Sequence, residues 1–390
     1  MIPYGKHHID EDDIQAVVAV LKSGLLTQGP AIEAFEKAIA DYVGVKYAIA
    51  VSSGTAALHL SALVAGVAPG KTLITSPITF VASANAGLYA GGDVAFADVD
   101  KDTINMSPTC LRDALMQNPN TVAVVPVHFG GLPCDMPAIK ALADAAGAVV
   151  IEDAAHALGG TYPDGRRVGC CAHSLMTIFS FHPVKAIAAG EGGMITTNDD
   201  SVYRELIRLR SHGINKLDDP LQCKELAETN GCPNPWYYEM QELGYHYRIT
   251  DLQSALANSQ LRKLDTFIAR RRQLARQYDV AFRDMRHCRP AQMRGRDNSG
   301  LHLYVLRIDF DALGKSRGEL MLELRARGIG TQVHYIPVPA QPFYQRQGHT
   351  LSAYPGASHY YSEALSIPLF FDLTEDQQQQ VVAAFKELVG

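Results

Sequence analysis

The chain has 390 residues, 47% of them hydrophobic, with 35 Lys and Arg against 41 Asp and Glu and a formal net charge of −6. That length suggests two folded units rather than one core. Charge spread without long runs excludes the basic stripe of a nucleic-acid binder, and the apolar stretches fall short of the roughly 20 residues that cross a bilayer.

The start, Met1-Ile2-Pro3-Tyr4-Gly5, has no basic-then-apolar leader, so a cytoplasmic location is expected. Residues 10–23 open on Asp10, place Ile14, Val17, Val18 and Leu21 at helical spacing and stop at Gly24; a second helix runs from Pro30 to Val43. Short apolar runs then alternate with helical patterns. Strands are expected at 46–51, 72–76, 93–97, 122–127, 148–152, 175–181 and 193–197, with helices near 55–66, 80–90, 109–117 and 136–146. This alternation predicts an α/β fold with a mostly parallel sheet covered on both faces. One long helical stretch over 250–285 links it to a smaller α/β unit with a strand at 302–308, a helix at 315–327, a strand at 329–334 and a closing helix at 375–388. The expected division is 1–255 for the large unit with the N-terminal segment, and 256–390 for the linker helix and small unit. Arg270-Arg271-Arg272 reads as the solvated face of the long helix.

The most informative residue is Lys185, between an apolar run ending at Ser180-Phe181 and the turn Gly190-Glu191-Gly192-Gly193. Residues 186–189 carry no charge, a setting that lowers an amine's pKa and favours condensation with an aldehyde. Ser52-Ser53-Gly54-Thr55 follows a strand and opens a helix, where free N–H groups and the helix dipole suit a phosphate; a capped helix without ligand is the alternative. Ser180 could add its hydroxyl to that phosphate. Asp153 ends a buried strand, either to pair with a pyridine nitrogen or to cap a helix, and His156 could stack on a ring, bond its phenolic oxygen or sit in the core. Phosphate turn, acid and lysine in that order read as a pyridoxal 5'-phosphate site. The Gly-x-Gly-x-x-Gly dinucleotide fingerprint is absent.

Other groups carry less. The seven cysteines form no Cys-x-x-Cys pair and are expected as reduced thiols, adjacent Cys170 and Cys171 as small buried residues. His7 and His8 have no ligand-spaced companion, and no metal site is expected. The stretch 233–238 with Trp236, and Tyr245-His246-Tyr247-Arg248, suit an interface or pocket as well as a packed surface turn.

Several segments together resemble the DegT/StrS family of sugar aminotransferases, nearly end to end: Leu26 to Pro30, Ser53 to His59, Pro77 to Ala86, Ile151 to His156, Ser180 to Lys185 and Gly190 to Gly193. The resemblance implies a fold-type I pyridoxal-phosphate aminotransferase. Carried over residue by residue, it implies that Lys185 bonds the cofactor and moves the proton, and that Asp153 pairs with the pyridine nitrogen. Phe80 then stacks on the ring with His156 beside it, while Gly54, Thr55 and Ser180 hold the phosphate. It also implies a homodimer with shared sites. The partner's motif, usually Gly-Tyr-Asn-Tyr-Arg, reads Gly244-Tyr245-His246-Tyr247-Arg248, so His246 takes the place of an Asn that donates to the phosphate.

Within the family, 2–5, 181–185, 235–239 and 328–338 are similar to the subgroup that forms UDP-4-amino-4,6-dideoxy-N-acetyl-β-L-altrosamine on the route to pseudaminic acid. This implies amino transfer, with glutamate as expected donor, to the C-4 ketone of a nucleotide-linked 4-keto-6-deoxy sugar. Tyr4, Thr27, Arg248, His334 and Tyr335 are the implied sugar contacts, with Arg248 or Lys216 as cation for the diphosphate. Pro339-Ala340 departs from the subgroup, which often has His and an apolar residue there. Rival readings are an aminotransferase for another nucleotide keto-sugar, a dehydratase with His in place of Lys185, and a non-catalytic sugar-binding protein.

Overall fold

Seven strands form the central sheet: β1 (Tyr47–Val51), β2 (Thr72–Thr75), β3 (Asp93–Phe96), β4 (Thr121–Val125), β5 (Val149–Asp153), β6 (Met176–Ser180) and β7 (Gly193–Thr197). The computed structural model describes residues 1–215 and 220–390. Strand order is β1-β7-β6-β5-β4-β2-β3. The β2–β3, β2–β4, β4–β5 and β5–β6 pairs are parallel, whereas β7 runs antiparallel to both neighbours. The strand residues are largely buried because helices cover both faces, so they read as apolar runs rather than alternating ones.

The antiparallel strand matters for the site. Because β7 is reversed, its first residue, Gly193, lies at the same sheet end as the last residues of its neighbours, opposite Val51 and Ser180. Ligands bind at that carboxyl end in open α/β sheets.

Helix α1 (Glu11–Ser23) opens on the Asp10 cap with a reciprocal bond from Asp13 and stops at Gly24, where φ is 84°. Helix α2 (Pro30–Val43) begins with Pro in its first turn and buries Ile32, Phe35, Ile39 and Val43. Its open N–H groups are satisfied from a distance: buried Asp251 accepts from Gly29 N at 2.8 Å and Ala31 N at 3.0 Å.

The stretch 250–285 is two helices, Asp251–Leu261 and Leu264–Phe282, not one. At the break Lys263 Nζ donates to Asp10 at 2.6 Å and Asp13 at 2.7 Å, and Gln260 Nε2 donates to Asp13, tying the joint to the cap of α1. The expectation of a solvated Arg270–Arg272 face fails at Arg271. Its side chain is buried and Nη1 donates to the Leu369 carbonyl at 2.8 Å, with longer contacts to those of Leu301 and His302.

The C-terminal part holds a three-stranded antiparallel sheet, Cys288–Pro290, Tyr304–Ile308 and Ala364–Ile367, flanked by helices Arg317–Ala326, Pro355–Glu363 and Glu375–Val389. The central strand starts two residues later than expected because His302 N and Leu303 N donate to Gly130 O in the larger part. The expected strand at 329–334 does not form. Only isolated bridges, Ile2 to Ile329 and Gln332 to Ser366, hold that segment before it turns into the cavity described below. Ile2 packs with Leu320, Leu324, Ile329 and Phe385 in the C-terminal core, so the first residues belong with that core. No described helix is long and apolar enough to cross a membrane.

Asp251→Ala removes an acceptor shared by two N–H groups at a buried helix start. A loss of about 1–3 kcal/mol is expected, read as a lower thermal midpoint; an unchanged midpoint contradicts this account of how α2 is held.

Candidate active site

At the carboxyl end of the sheet, three chain segments converge. Ser53 caps helix α3 (Gly54–Val64) by accepting from Ala56 N, leaving the Gly54 and Thr55 N–H groups at its open end. A Cβ on Gly54 would stand 2.9 Å from that of Ser180, and one on Gly193 would stand 2.3 Å from Ser53 O. Neither glycine can carry a side chain without moving the turn. The turn therefore packs backbone to backbone against β7 and against the Ser180 side chain of β6, with the Ser180 hydroxyl beside the helix start.

Lys185 sits in the loop that leaves β6. Phe181 N donates to Gly192 O and Ala189 N to Phe181 O, both at 2.9 Å, closing the loop at its base. Phe181, Ile187, Ala188 and Ala189 are buried beneath it. Burial pushes the Lys185 amine down to about 8, against an upward pull from Asp153. The direction is the one expected for an amine in an uncharged setting.

Asp153 ends β5 as expected. Its Oδ1 accepts from Ala155 N at 3.1 Å and Oδ2 from the Ser83 hydroxyl at 2.6 Å. His156, three residues on, lies between two side chains of the C-terminal part. Its Nε2 is 3.0 Å from Tyr335 OH, and its ring centroid is 4.3 Å from that of His302. Burial, then nearby Lys185 and His334, holds the His156 imidazole well below its ordinary value. His334 Nδ1 bonds Ser366 Oγ at 2.8 Å, and burial followed by Lys185 takes its pKa down to about 3.

These groups line one cavity of about 600 Å³ that includes Tyr4, Gly54, Thr55, Phe80, Asp153, His156, Ser180, Lys185, His334 and Tyr335. Ten of the thirteen site residues singled out from the sequence are there. The other three are not, within a single chain. Thr27 bridges Thr250, His246 stacks on His212 at 5.3 Å, and Arg248 lines a separate groove of about 930 Å³ with Glu36 and Arg210. Lys216 lies outside the described residues. Sequence reasoning passed over Thr79, Ser83 and His302; Thr79 and Ser83 fall in a quoted segment, whereas His302 sits at a strand start with no motif to mark it. Trp236 is 74% exposed, Cys171 is buried and Cys170 only partly so.

Pyridoxal phosphate fits these residues. The amine is desolvated, the open helix end suits a phosphate, and an acceptor carboxylate stands at the strand end. Phe80, 57% exposed at the cavity mouth, is an aromatic face without cover. His156 Nδ1 is a buried polar atom with no partner. Fold and cavity define the class: this is a fold-type I pyridoxal-phosphate-dependent aminotransferase.

Residues 7–386 match the model of the DegT/DnrJ/EryC1/StrS aminotransferase family, and the chain belongs to that family. It is 40% identical over 390 residues to the spore coat polysaccharide biosynthesis protein SpsC of Bacillus subtilis, covering 100% of this chain and 97% of the relative. Among solved structures it is similar to Helicobacter pylori PseC, an aminotransferase involved in the biosynthesis of pseudoaminic acid (TM-score 0.89, 29% identity, 100% and 99% of the two chains). A similar likeness holds for the sugar aminotransferase Spr1654 of Streptococcus pneumoniae in its pyridoxal-phosphate form (TM-score 0.88, 27% identity, 100% and 98%).

If Lys185 attacks as the neutral amine, cofactor capture by apoprotein should quicken about tenfold per pH unit below about 8 and level off above it. Stopped-flow absorbance checks this, and a rate that goes on rising about tenfold per unit well above pH 8 contradicts a desolvated nucleophile.

Proposed function

We propose that the protein moves the amino group of L-glutamate to the C-4 ketone of a nucleotide-linked 4-keto-6-deoxy sugar, with a UDP-linked sugar of the N-acetyl-altrosamine type as acceptor. The observation that carries amino transfer is the desolvated Lys185 sharing a cavity with Asp153. The choice of sugar is supported by full-length likeness to PseC. The reading is of a cytoplasmic homodimer, divided at residues 1–255 and 256–390 except that the first residues pack with the C-terminal core.

Pyridoxal phosphate, when bound, supplies the electrophilic carbon and the electron sink for the reaction. In this reading Lys185 Nζ takes a proton from the donor's α-carbon in the first half-reaction and delivers one to sugar C-4 in the second. Its lowered basicity puts both protonation states within reach near neutral pH. Asp153 accepts from the cofactor's ring nitrogen, while the Gly54 and Thr55 N–H groups and the Ser180 hydroxyl donate to its phosphate. Phe80 and His156 confine the ring. Tyr4, His334 and Tyr335 form the wall that meets the sugar, excluding water as they close over Lys185.

Thr27, His246 and Arg248 enter the account through a second subunit, contributing from their own chain to the partner's cavity. Arg248 is assigned the diphosphate and His246 the cofactor phosphate, where its imidazole N–H takes over the donor role of an Asn amide. A second acceptor, another nucleotide keto-sugar, is favoured by the higher identity to SpsC, a spore coat polysaccharide protein.

The test is absorbance of the holoprotein before and after glutamate, then product analysis with UDP- and dTDP-linked 4-keto-6-deoxy sugars. Glutamate should bleach the visible band of the lysine-linked cofactor and release 2-oxoglutarate in wild type, and do neither in Lys185→Ala. Asp153→Asn should slow both halves on the order of 10²- to 10³-fold, as expected when one partner of a buried charge pair is lost. An amino sugar from the UDP substrate supports the proposal; turnover of only the dTDP sugar replaces the acceptor, and no bleaching by glutamate removes the donor.

A further inference from the structure

Behind the Asp153 carboxylate lies a chain of hydroxyls that the reaction described above does not use. Ser83 Oγ stands 2.6 Å from Asp153 Oδ2, and Thr79 Oγ1 stands 2.7 Å from Ser83 Oγ. Thr79, Ser83 and Asp153 are 2%, 1% and 5% exposed, so water does not compete for these bonds. Each hydroxyl owns one proton and an ionised carboxylate owns none, so the direction follows by counting.

Ser83 has three acceptors in reach, the carboxylate at 2.6 Å, the Thr79 hydroxyl oxygen at 2.7 Å and the Phe80 carbonyl at 3.4 Å. The shorter, charged acceptor wins. With its only proton committed, Ser83 Oγ must be the acceptor toward Thr79, which donates. The chain is therefore one-way, Thr79 to Ser83 to Asp153, and each link polarises the next. Asp153 Oδ1 is held by Ala155 N, so both oxygens are oriented before anything binds. Ser83 lies in the helix Ala82–Tyr89, just after Phe80, so the segment carrying the aromatic face also carries the hydroxyls.

We propose that Thr79 and Ser83 are positioning residues whose one-way hydroxyl chain holds the Asp153 carboxylate as the acceptor for a protonated cofactor ring nitrogen. This rests on the role assigned to Asp153 above. Both side chains also border the cavity, and the role proposed for them runs through Asp153 rather than through contact with substrate or cofactor. Each acts through Asp153, by fixing its oxygens.

The experiment is ¹⁵N NMR of holoprotein loaded with pyridine-¹⁵N pyridoxal phosphate, across pH, for wild type, Ser83→Ala, Ser83→Thr, Thr79→Val and Asp153→Asn. In wild type the ring nitrogen should stay protonated through neutral pH. In Ser83→Ala its titration should move down on the order of one pH unit, and kcat should fall on the order of tenfold with little change in donor KM. Thr79→Val should move it the same way by less, and Ser83→Thr should restore the wild-type titration. A merely structural hydroxyl has no reason to shift the ring nitrogen. If Ser83→Ala and Thr79→Val both titrate as wild type while Asp153→Asn does not, the relay is wrong and the role of Asp153 stands. If Asp153→Asn also titrates as wild type, that role fails and takes the relay with it. Should Ser83→Ala not retain cofactor, Thr79→Val, which keeps the side chain's shape, decides the question alone.

Discussion

Lys185 is held where its charge is poorly solvated, and much of the surrounding structure serves to keep it there. A buried amine costs free energy unless it gives up its proton or finds an opposite charge, and Asp153 only partly opposes that cost. The loop carrying it is closed by bonds from Phe181 to Gly192 and from Ala189 to Phe181, and floored by Ile187, Ala188 and Ala189. Reversal of β7 brings Gly193 to the same sheet end, where its missing side chain admits Ser53 O and hence the start of α3. Lysine, helix end and carboxylate are thus neighbours by topology, although they are far apart in sequence.

Strand β5 supports this from both faces. Successive side chains point to opposite sides of a strand, so Asp153 and Glu152 face different layers. Glu152 is fully buried and accepts from Tyr162 OH and Ser174 Oγ, each at 2.5 Å, with His128 Nε2 at 2.8 Å. Cys134 N donates to His128 Nδ1 at 3.2 Å, which leaves His128 Nε2 to donate to Glu152; burial opposes charge on Glu152, yet the bonds from His128, Ser174 and Tyr162 hold its carboxyl down. Leaving a buried acceptor short of such a bond typically costs about 1–3 kcal/mol. The end of β5 is therefore anchored by one acid so that the next can be aimed.

Most of the large sheet was legible because buried parallel strands declare themselves as apolar runs: 193–197 and the helix 30–43 fall at their expected bounds. The errors have local causes. A continuous helical pattern over 250–285 hid the joint at Lys263, whose partners Asp10 and Asp13 lie some 250 residues away. The apolar run at 329–334 looked like a strand, but its backbone finds only isolated partners before entering the cavity. Arg271 looked solvated because its neighbours are charged, while its acceptors are carbonyls of distant loops. Within the site, residues on strand ends and tight turns were readable. Ser83 and His302 were not, because an unremarkable serine or histidine gains meaning only from what it faces: Asp153 in one case, the ring of His156 in the other.

The central claim is that Lys185 is the amine to which the cofactor is joined. Reduction of the purified holoprotein with borohydride, followed by proteolysis and peptide mass spectrometry, tests it most directly, because reduction makes that link permanent wherever it occurs. The account predicts a phosphopyridoxyl group on the peptide containing Lys185 and on no other. A label on a different lysine, or none on this peptide, would contradict it.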